Sequence, residues 1–258
     1  MKKYSLSLWA WALDEEDLVE EFVKKSVQDL ERVTNDYEII LVDDGSTDRT
    51  WELMQKMSAQ VPQLKIVRHP KNLRPGRCMH TCLALTTKEI VFWNTVDSFF
   101  DTSNLEEWLT ELDSCDMIQG IRTDLRANTP YRKLTHLVNY WMIRILFQIN
   151  LREFQNVKFC RADFLKKVGL ESASTFTNPE CSIKAYWAGK KIKEKSMVFQ
   201  FRKAGRAKGA NPFGILESFR DIWLYWVKWV VLKQLPKPIQ RGKIIKLSGK
   251  VLCPTQTS

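Results

Sequence analysis

The chain has 258 residues and a mass of 30.3 kDa, with 44% hydrophobic residues, 27% charged residues and a mean hydropathy of -0.31. That composition supplies a full core and excludes an intrinsically disordered chain, while six scattered cysteines exclude a disulfide framework or zinc ribbon and fit a reducing cytosol. The net charge of +10 is uneven: residues 190–258 hold 16 Lys and Arg against three acids, whereas residues 1–189 hold 24 against 27.

Tyr4 to Ala12 is an apolar run suited to a buried strand. The acids Asp14, Glu15, Glu16 and Asp17 then suit the start of a helix, in which Leu18, Phe22, Val23, Val27 and Leu30 recur at helical spacing. A second buried strand, Glu38 to Val42, stops at Asp43-Asp44-Gly45-Ser46, and Ser46 or Thr47 is expected to cap the helix carrying Trp51, Leu53 and Met57. Leu64–Val67 reads as a third strand, residues 76–86 as a third helix and Ile90–Trp93 as a fourth strand. Such alternation implies a mostly parallel sheet with helices on both faces and ligands at the carboxyl ends of the strands. Further on, helices are expected near 104–112, 131–148 and 182–188, and strands at 117–120 and 193–201.

The N-terminal apolar run meets acids after about ten positions, too soon for a signal peptide, and no stretch reaches the roughly 20 apolar residues of a spanning helix. A cytoplasmic location is therefore expected. From Asn211 onward the character changes: Phe213, Leu216, Phe219, Trp223, Trp226, Trp229 and Val230 line much of one helical face, and a basic tail follows. Trp beside Lys and Arg on an amphipathic helix suits the surface of an anionic membrane. Nucleic acid is the weaker match, because the aromatic residues cluster with aliphatic ones. Packing of the helix onto the domain, a second copy or a membrane-protein partner is the alternative. The chain thus divides into a domain at 1–210 and a membrane-associating extension at 211–258, peripheral on the cytoplasmic face.

The most informative segment is Val42-Asp43-Asp44-Gly45-Ser46-Thr47-Asp48-Arg49-Thr50. An acidic pair closing a buried strand before a Gly-Ser-Thr turn places carboxylates at the binding edge of the sheet, where they can accept from a nucleobase or ribose. This segment resembles the VDDGSTDGT motif of family 2 glycosyltransferases of the GT-A fold, which include polyprenyl-phosphate sugar synthases. Trp11-Ala12-Leu13-Asp14-Glu15-Glu16 is a degenerate counterpart of the family's P-A-Y-N-E-E, and Asn72-Leu73-Arg74-Pro75-Gly76 of its N-x-G-x-G. The similarity spans about residues 4–208.

The resemblance implies an α/β GT-A domain and an inverting transfer from a nucleotide diphosphate-sugar to a lipid-linked acceptor, either a polyprenyl phosphate or a lipid-linked glycan. It implies a donor site from Trp11, Asp14, Glu15, Val42, Asp44, Asn72, Arg74 and Thr95. The family's D-x-D falls on Thr95-Val96-Asp97, so Asp97 alone is expected to hold Mg²⁺ or Mn²⁺ in a weakened site, and Phe99 stands where some relatives have a polar ligand. Arg122 and Arg132 resemble an arginine pair that the synthases use near phosphates, and bidentate forks suit that role. Glu153-Phe154-Gln155-Asn156 with Arg161 resembles a D-x-Q…R segment. Glu180 matches a carboxylate that acts as general base or orients the acceptor site, with attraction to the helix dipole as its plain reading. Arg202 to Lys208 resembles a basic loop over the diphosphate, giving Arg202 and Lys208 as donor ligands. Thr95 and Phe99 also motivate an alternative, an inactive relative serving as a membrane-associated adaptor. His69, His80 and His136 lack metal-ligand spacing, and Cys78 and Cys82 read as packing residues.

Overall fold

The computed structural model describes residues 4–97, 100, 102–122, 130–197 and 212–235, with backbone alone at 103, 130–133 and 212–213. In chain order the elements are β1 (Leu6–Ala12), α1 (Val19–Val33), β2 (Tyr37–Asp43), α2 (Thr50–Ser58), β3 (Leu64–Arg68), α3 (Pro75–Leu85) and β4 (Ile90–Trp93). A short 3₁₀ turn (Thr102–Asn104) leads to α4 (Leu105–Glu111), β5 (Met117–Arg122), α5 (Pro130–Phe147), β6 (Lys158–Arg161) and α6 (Ala162–Val168). Then come α7 (Thr177–Trp187), β7 (Ile192–Met197), α8 (Pro212–Trp226) and a π-helical turn (Val227–Val231).

The seven strands lie in the order β3-β2-β1-β4-β6-β5-β7, all running one way except β6, which is antiparallel to both β4 and β5. β1 and β2 are apolar throughout because both faces of the sheet are covered. Leu6, Leu8, Ala10, Ile39 and Leu41 point into one core with α1, α2 and α4, while Trp9, Ile40 and Val42 point into a second with α3, α6 and α7. The expected architecture is present, and Cys78 and Cys82 are packing residues of the second core, as expected.

Four expectations are corrected. First, α1 begins at Val19, because Asp14 takes a positive φ and residues 14–18 form a turn. Second, neither Ser46 nor Thr47 caps α2; its first amide, that of Thr50, donates to Asp48 Oδ1 at 2.9 Å. Third, β6 and α6 were not expected, since Lys158-Phe159-Cys160-Arg161 is short and begins with a charge. Lys158 is nonetheless fully buried: its ammonium donates to the carbonyls of Phe154 (2.8 Å) and Asn156 (3.2 Å) and to the Asn178 side chain, and lies 5.3 Å from the Trp93 ring centre. Burial brings its pKa down to about 8.

The fourth concerns α8. Its inner face joins a third core with α5 and α7, in which Trp229 is buried against Phe147, Phe176, Trp187 and Tyr225. Trp229 therefore packs inside the protein rather than in a membrane interface. Leu216, Trp223, Leu224, Val227, Val231 and Leu232 remain exposed on the opposite side. No described helix is long and apolar enough to cross a membrane.

Candidate functional site

Two turns lock together at the carboxyl edge of the sheet. Ser46 Oγ accepts from the Asp14 amide (2.9 Å), while Asp14 Oδ1 accepts from the Thr47 amide (2.7 Å) and hydroxyl (3.1 Å). The Glu15 amide donates to Thr50 Oγ1 at 2.8 Å, and Glu16 Oε2 takes the Arg49 amide and Nε at 3.1 Å. Asp43 is fully buried, accepts from the Ser46 amide (2.9 Å) and pairs with Arg68 (3.0 Å). Gly45 is required here: its φ is +82°, and a Cβ would stand 2.5 Å from the backbone of Lys71. The polar residues of this motif thus weld the β1 and β2 turns into one rigid ledge, with Trp11 half-buried beside it. The Val42 side chain is sealed in the second core, so any contact of Val42 with donor falls to its backbone at the edge.

Asp44 is 4% exposed, and both of its oxygens are engaged. Oδ1 accepts from the Leu73 amide (2.9 Å) and lies 2.7 Å from His69 Nδ1, and Oδ2 accepts from the Arg74 amide (3.0 Å). His69 Nε2 in turn meets Thr81 Oγ1 at 2.9 Å. Asp44 therefore shapes the 72–74 loop at the rim, and His69 is the partner that sequence reasoning missed, 25 residues away. Asn72 is exposed and accepts from the Arg74 amide at 3.0 Å. In the third motif, Gly76 is explained by closeness, since a Cβ would lie 2.4 Å from the backbone of Ala173. Arg74, in the place of the motif's first glycine, keeps the glycine geometry at φ 81° and ψ 157°, and its guanidinium pairs with Glu217 of α8 at 3.3 Å. We predict that Arg74→Gly raises stability by about 0.5 kcal/mol, because ~2 kcal/mol of strain relief outweighs the ~1 kcal/mol entropy cost of glycine and the ~0.5 kcal/mol of a half-exposed ion pair. A urea midpoint at or below that of the wild type would overturn this.

Beyond β4, Asn94 is buried and organises the next turn: its Oδ1 accepts from the Thr95 and Phe100 amides at 3.0 and 2.9 Å. This holds Thr95 and Asp97, both half-buried, at the edge; Phe99 lies outside the described residues. An oxygen-preferring divalent cation would be held here by the Asp97 carboxylate, with the Thr95 hydroxyl beside it. Among the described residues the single cluster of three metal-type ligands is instead Asp44, His69 and Cys78. Here the three groups satisfy one another: Asp44 accepts from two loop amides and meets His69, and burial, then the Asp44 charge, push the Cys78 thiol up.

Glu180 is corrected as a general base. It is 0% exposed, its oxygens accept from the Glu171 (2.8 Å) and Ser172 (2.9 Å) amides, and it pairs with the equally buried Lys184 at 2.6 Å. Burial raises its pKa, a mark often read as catalytic, yet no face of the carboxylate reaches an acceptor. Glu180 anchors the 171–172 loop. Arg122 ends β5 at the carboxyl edge, half-buried. Arg132 lies in the first turns of α5, with its side chain outside the described set, and Arg202 and Lys208 lie outside the described residues altogether.

Sequence reasoning also missed a pair beside this edge. Because β6 runs backwards, the segment before it meets the carboxyl ends of β4 and β5, with the Gly120 amide donating to Val157 at 2.9 Å. There Glu153, buried, accepts from the Phe154 (2.7 Å) and Gln155 (2.9 Å) amides and pairs with His136 of α5 at 3.4 Å.

Residues 12–165 match the sequence model of a family described as Glycosyl transferase family 2. A dolichyl-phosphate beta-glucosyltransferase of Trichomonas vaginalis is 28% identical over 120 residues, 42% of this chain and 36% of that protein. The chain spans less than half the length of the curated relatives it matches. Among solved structures, S. aureus TarS in complex with UDP-GlcNAc superposes with a TM-score of 0.61 at 17% identity, covering 87% of this chain and 66% of that one. Glucosyl-3-phosphoglycerate synthase from Mycobacterium tuberculosis, in complex with Mn²⁺, UDP and phosphoglyceric acid, gives 0.61 at 16% identity, covering 87% and 78%. Likeness at these identities establishes the fold, which is the GT-A architecture that the sequence motifs implied.

Proposed function

The chain belongs to glycosyl transferase family 2, and from that membership we propose that it moves a sugar, with inversion, from a nucleotide diphosphate-sugar to a lipid-linked acceptor. The donor nucleoside would lie on the ledge built by the Asp14/Glu15 and Asp44–Ser46 turns, with the 72–74 loop as its rim. Asp97 would hold Mg²⁺ or Mn²⁺, which when bound supplies charge neutralisation to the leaving diphosphate. Arg122, with Arg132, Arg202 and Lys208, would add cationic forks around the same group. UDP and Mn²⁺ in the solved relatives support this donor class.

One observation carries the lipid side of the reading. Every exposed large apolar side chain among the described residues lies on α5 (Leu134, Leu137, Val138, Trp141, Ile145) or on α8, its π turn and the residue that follows, Leu232. These two helices pack together, and the basic sequence from Lys233 to Lys250 follows them. Such a face suits in-plane contact with an anionic cytoplasmic leaflet, each nearby base adding about 1 kcal/mol. A polyprenyl-phosphate acceptor agrees with the name of the Trichomonas relative. Thr95, in place of the first aspartate, favours the second reading, a donor-binding adaptor without turnover.

Two measurements test the proposal. UDP-linked hexoses and N-acetylhexosamines are incubated with farnesyl phosphate and Mn²⁺, and sugar is counted in the butanol phase; donor binding without any transfer establishes the adaptor instead. Flotation with phosphatidylserine vesicles compares wild type with Trp141→Glu/Trp223→Glu, since truncation would strip the Trp229 core. We expect binding to fall by about tenfold or more, the scale of removing two interfacial aromatic anchors. Equal flotation defeats the membrane face.

A further inference from the structure

His136 stands out on α5. Leu134, Leu137, Val138, Trp141 and Ile145 form the outer stripe of this helix, and Ile143 and Phe147 its buried inner stripe. Two turns before Ile143, on that same inner stripe, the His136 side chain is still 41% exposed. An inward-facing residue so open to solvent leaves its ring accessible beside Glu153, in the segment that runs up to the carboxyl ends of β4 and β5. Behind it Glu153 is fixed by two backbone amides and holds His136 Nε2. His136 Nδ1 has no hydrogen-bond partner among the described residues.

We propose that His136, held by Glu153, is the binding group for the phosphate of the lipid-linked acceptor, donating Nδ1–H to a phosphate oxygen. The site rests on the acceptor class proposed above and gives it a residue. It also gives a further role to a carboxylate that two amides fix in place: Glu153 favours the imidazolium and orients it, as a carboxylate behind a histidine does elsewhere. The hydrogen bond to Glu153 raises the His136 pKa; burial opposes this. Glu153 itself is raised by burial but pulled lower overall by His136 and the two amides. Among the described residues the other charges near the pair include the buried Lys158 of β6, attracted to Glu153, Glu194 of β7, repelled by it, and Arg152, which acts on Glu194. On α5 itself Arg132 and Lys133 precede His136, and Arg144 follows on the far side of Tyr140. α8 directs its acids elsewhere, Glu217 to Arg74 and Asp221 to Ser172 and Arg220. A phosphate acceptor is already an anionic nucleophile, so the step needs no base: its oxygen bonds to the anomeric carbon as the bond to the diphosphate breaks.

The sign of the pH dependence follows. Imidazolium is needed, so acceptor binding is full below the His136 pKa and is lost as pH rises through it. In the full-length protein, KM for farnesyl phosphate should rise by about tenfold per pH unit above that pKa, with kcat little changed. His136→Gln should raise KM by about tenfold or more at low pH and flatten the profile, leaving UDP affinity intact. Glu153→Gln, which retains an acceptor for the amides, should move the profile to lower pH. Independently of turnover, ¹³C-histidine NMR should show the His136 pKa raised by farnesyl phosphate but little by inorganic phosphate or farnesol. A His136 titration unmoved by farnesyl phosphate overturns the site, as does an equal response to inorganic phosphate. Loss of kcat at unchanged KM in His136→Gln also overturns it, by making the residue a base. If the wild type glycosylates farnesyl phosphate and His136→Gln does so with the same KM at every pH, the site fails while the proposed function stands. If NMR shows the shift but no sugar is transferred, the phosphate site stands and the transfer reaction falls.

Discussion

Glu180→Ala is expected to cost about 3–5 kcal/mol, the scale for removing one partner of a buried ion pair, and so to consume much of the roughly 5–15 kcal/mol that holds a domain folded. The substitution removes the fully buried partner of Lys184, which is itself 0% exposed and keeps the carbonyl of Gly169 at 2.8 Å and the less buried Glu171 at 3.1 Å. It also orphans the amides of Glu171 and Ser172. Urea unfolding measures the loss. The double variant Glu180→Leu/Lys184→Met should be less damaged than the sum of its single changes, because it buries no unpaired charge. A catalytic base behaves differently: Glu180→Ala would then keep the wild-type midpoint and lose turnover alone, which would reinstate the role that the geometry removes.

Asp97→Asn is expected to lower sugar transfer by about 10²–10³-fold, the range seen when one electrostatic stabiliser of a leaving group is removed. The side chain is half-buried at a turn organised by Asn94, so the unfolding midpoint should stay close to that of the wild type. With one carboxylate in the site, half-maximal rate should need more Mn²⁺ than a paired site does, and Thr95→Asp should reduce that requirement. Rates measured across a Mn²⁺ series decide. Turnover indifferent to both EDTA and Asp97→Asn would move the charge compensation onto the arginines and remove the cation from the proposal.

These two carboxylates show where sequence reading carries and where it stops. The interlocked ledge was legible because its chemistry is local: a buried apolar strand, then acids, a glycine and hydroxyls within nine residues, in an order that only a tight turn satisfies. The alternating strands and helices were legible for the same reason, since a two-residue or helical period records which faces are covered. The sequence by itself therefore determined the parallel strands β1–β4, the polar turns at their carboxyl ends and the family. Glu180 and Glu153 look alike as letters, each followed by ordinary residues. What separates them is the company that folding brings: Lys184 and a closed loop around Glu180, but a partly exposed His136 beside Glu153. Asp44 likewise reads as a free ligand until His69 arrives from the end of β3. Lys158 reads as a surface charge until β6 reverses and the carbonyls of Phe154 and Asn156 receive it. The aromatic face of α8 reads as uniformly interfacial until α5 and α7 claim Trp229 and leave Trp223 outside. Tertiary structure alone decided these matters, because whether a polar or aromatic group is a ligand, an anchor or a contact surface depends on which distant groups satisfy it first, and no local pattern encodes that competition.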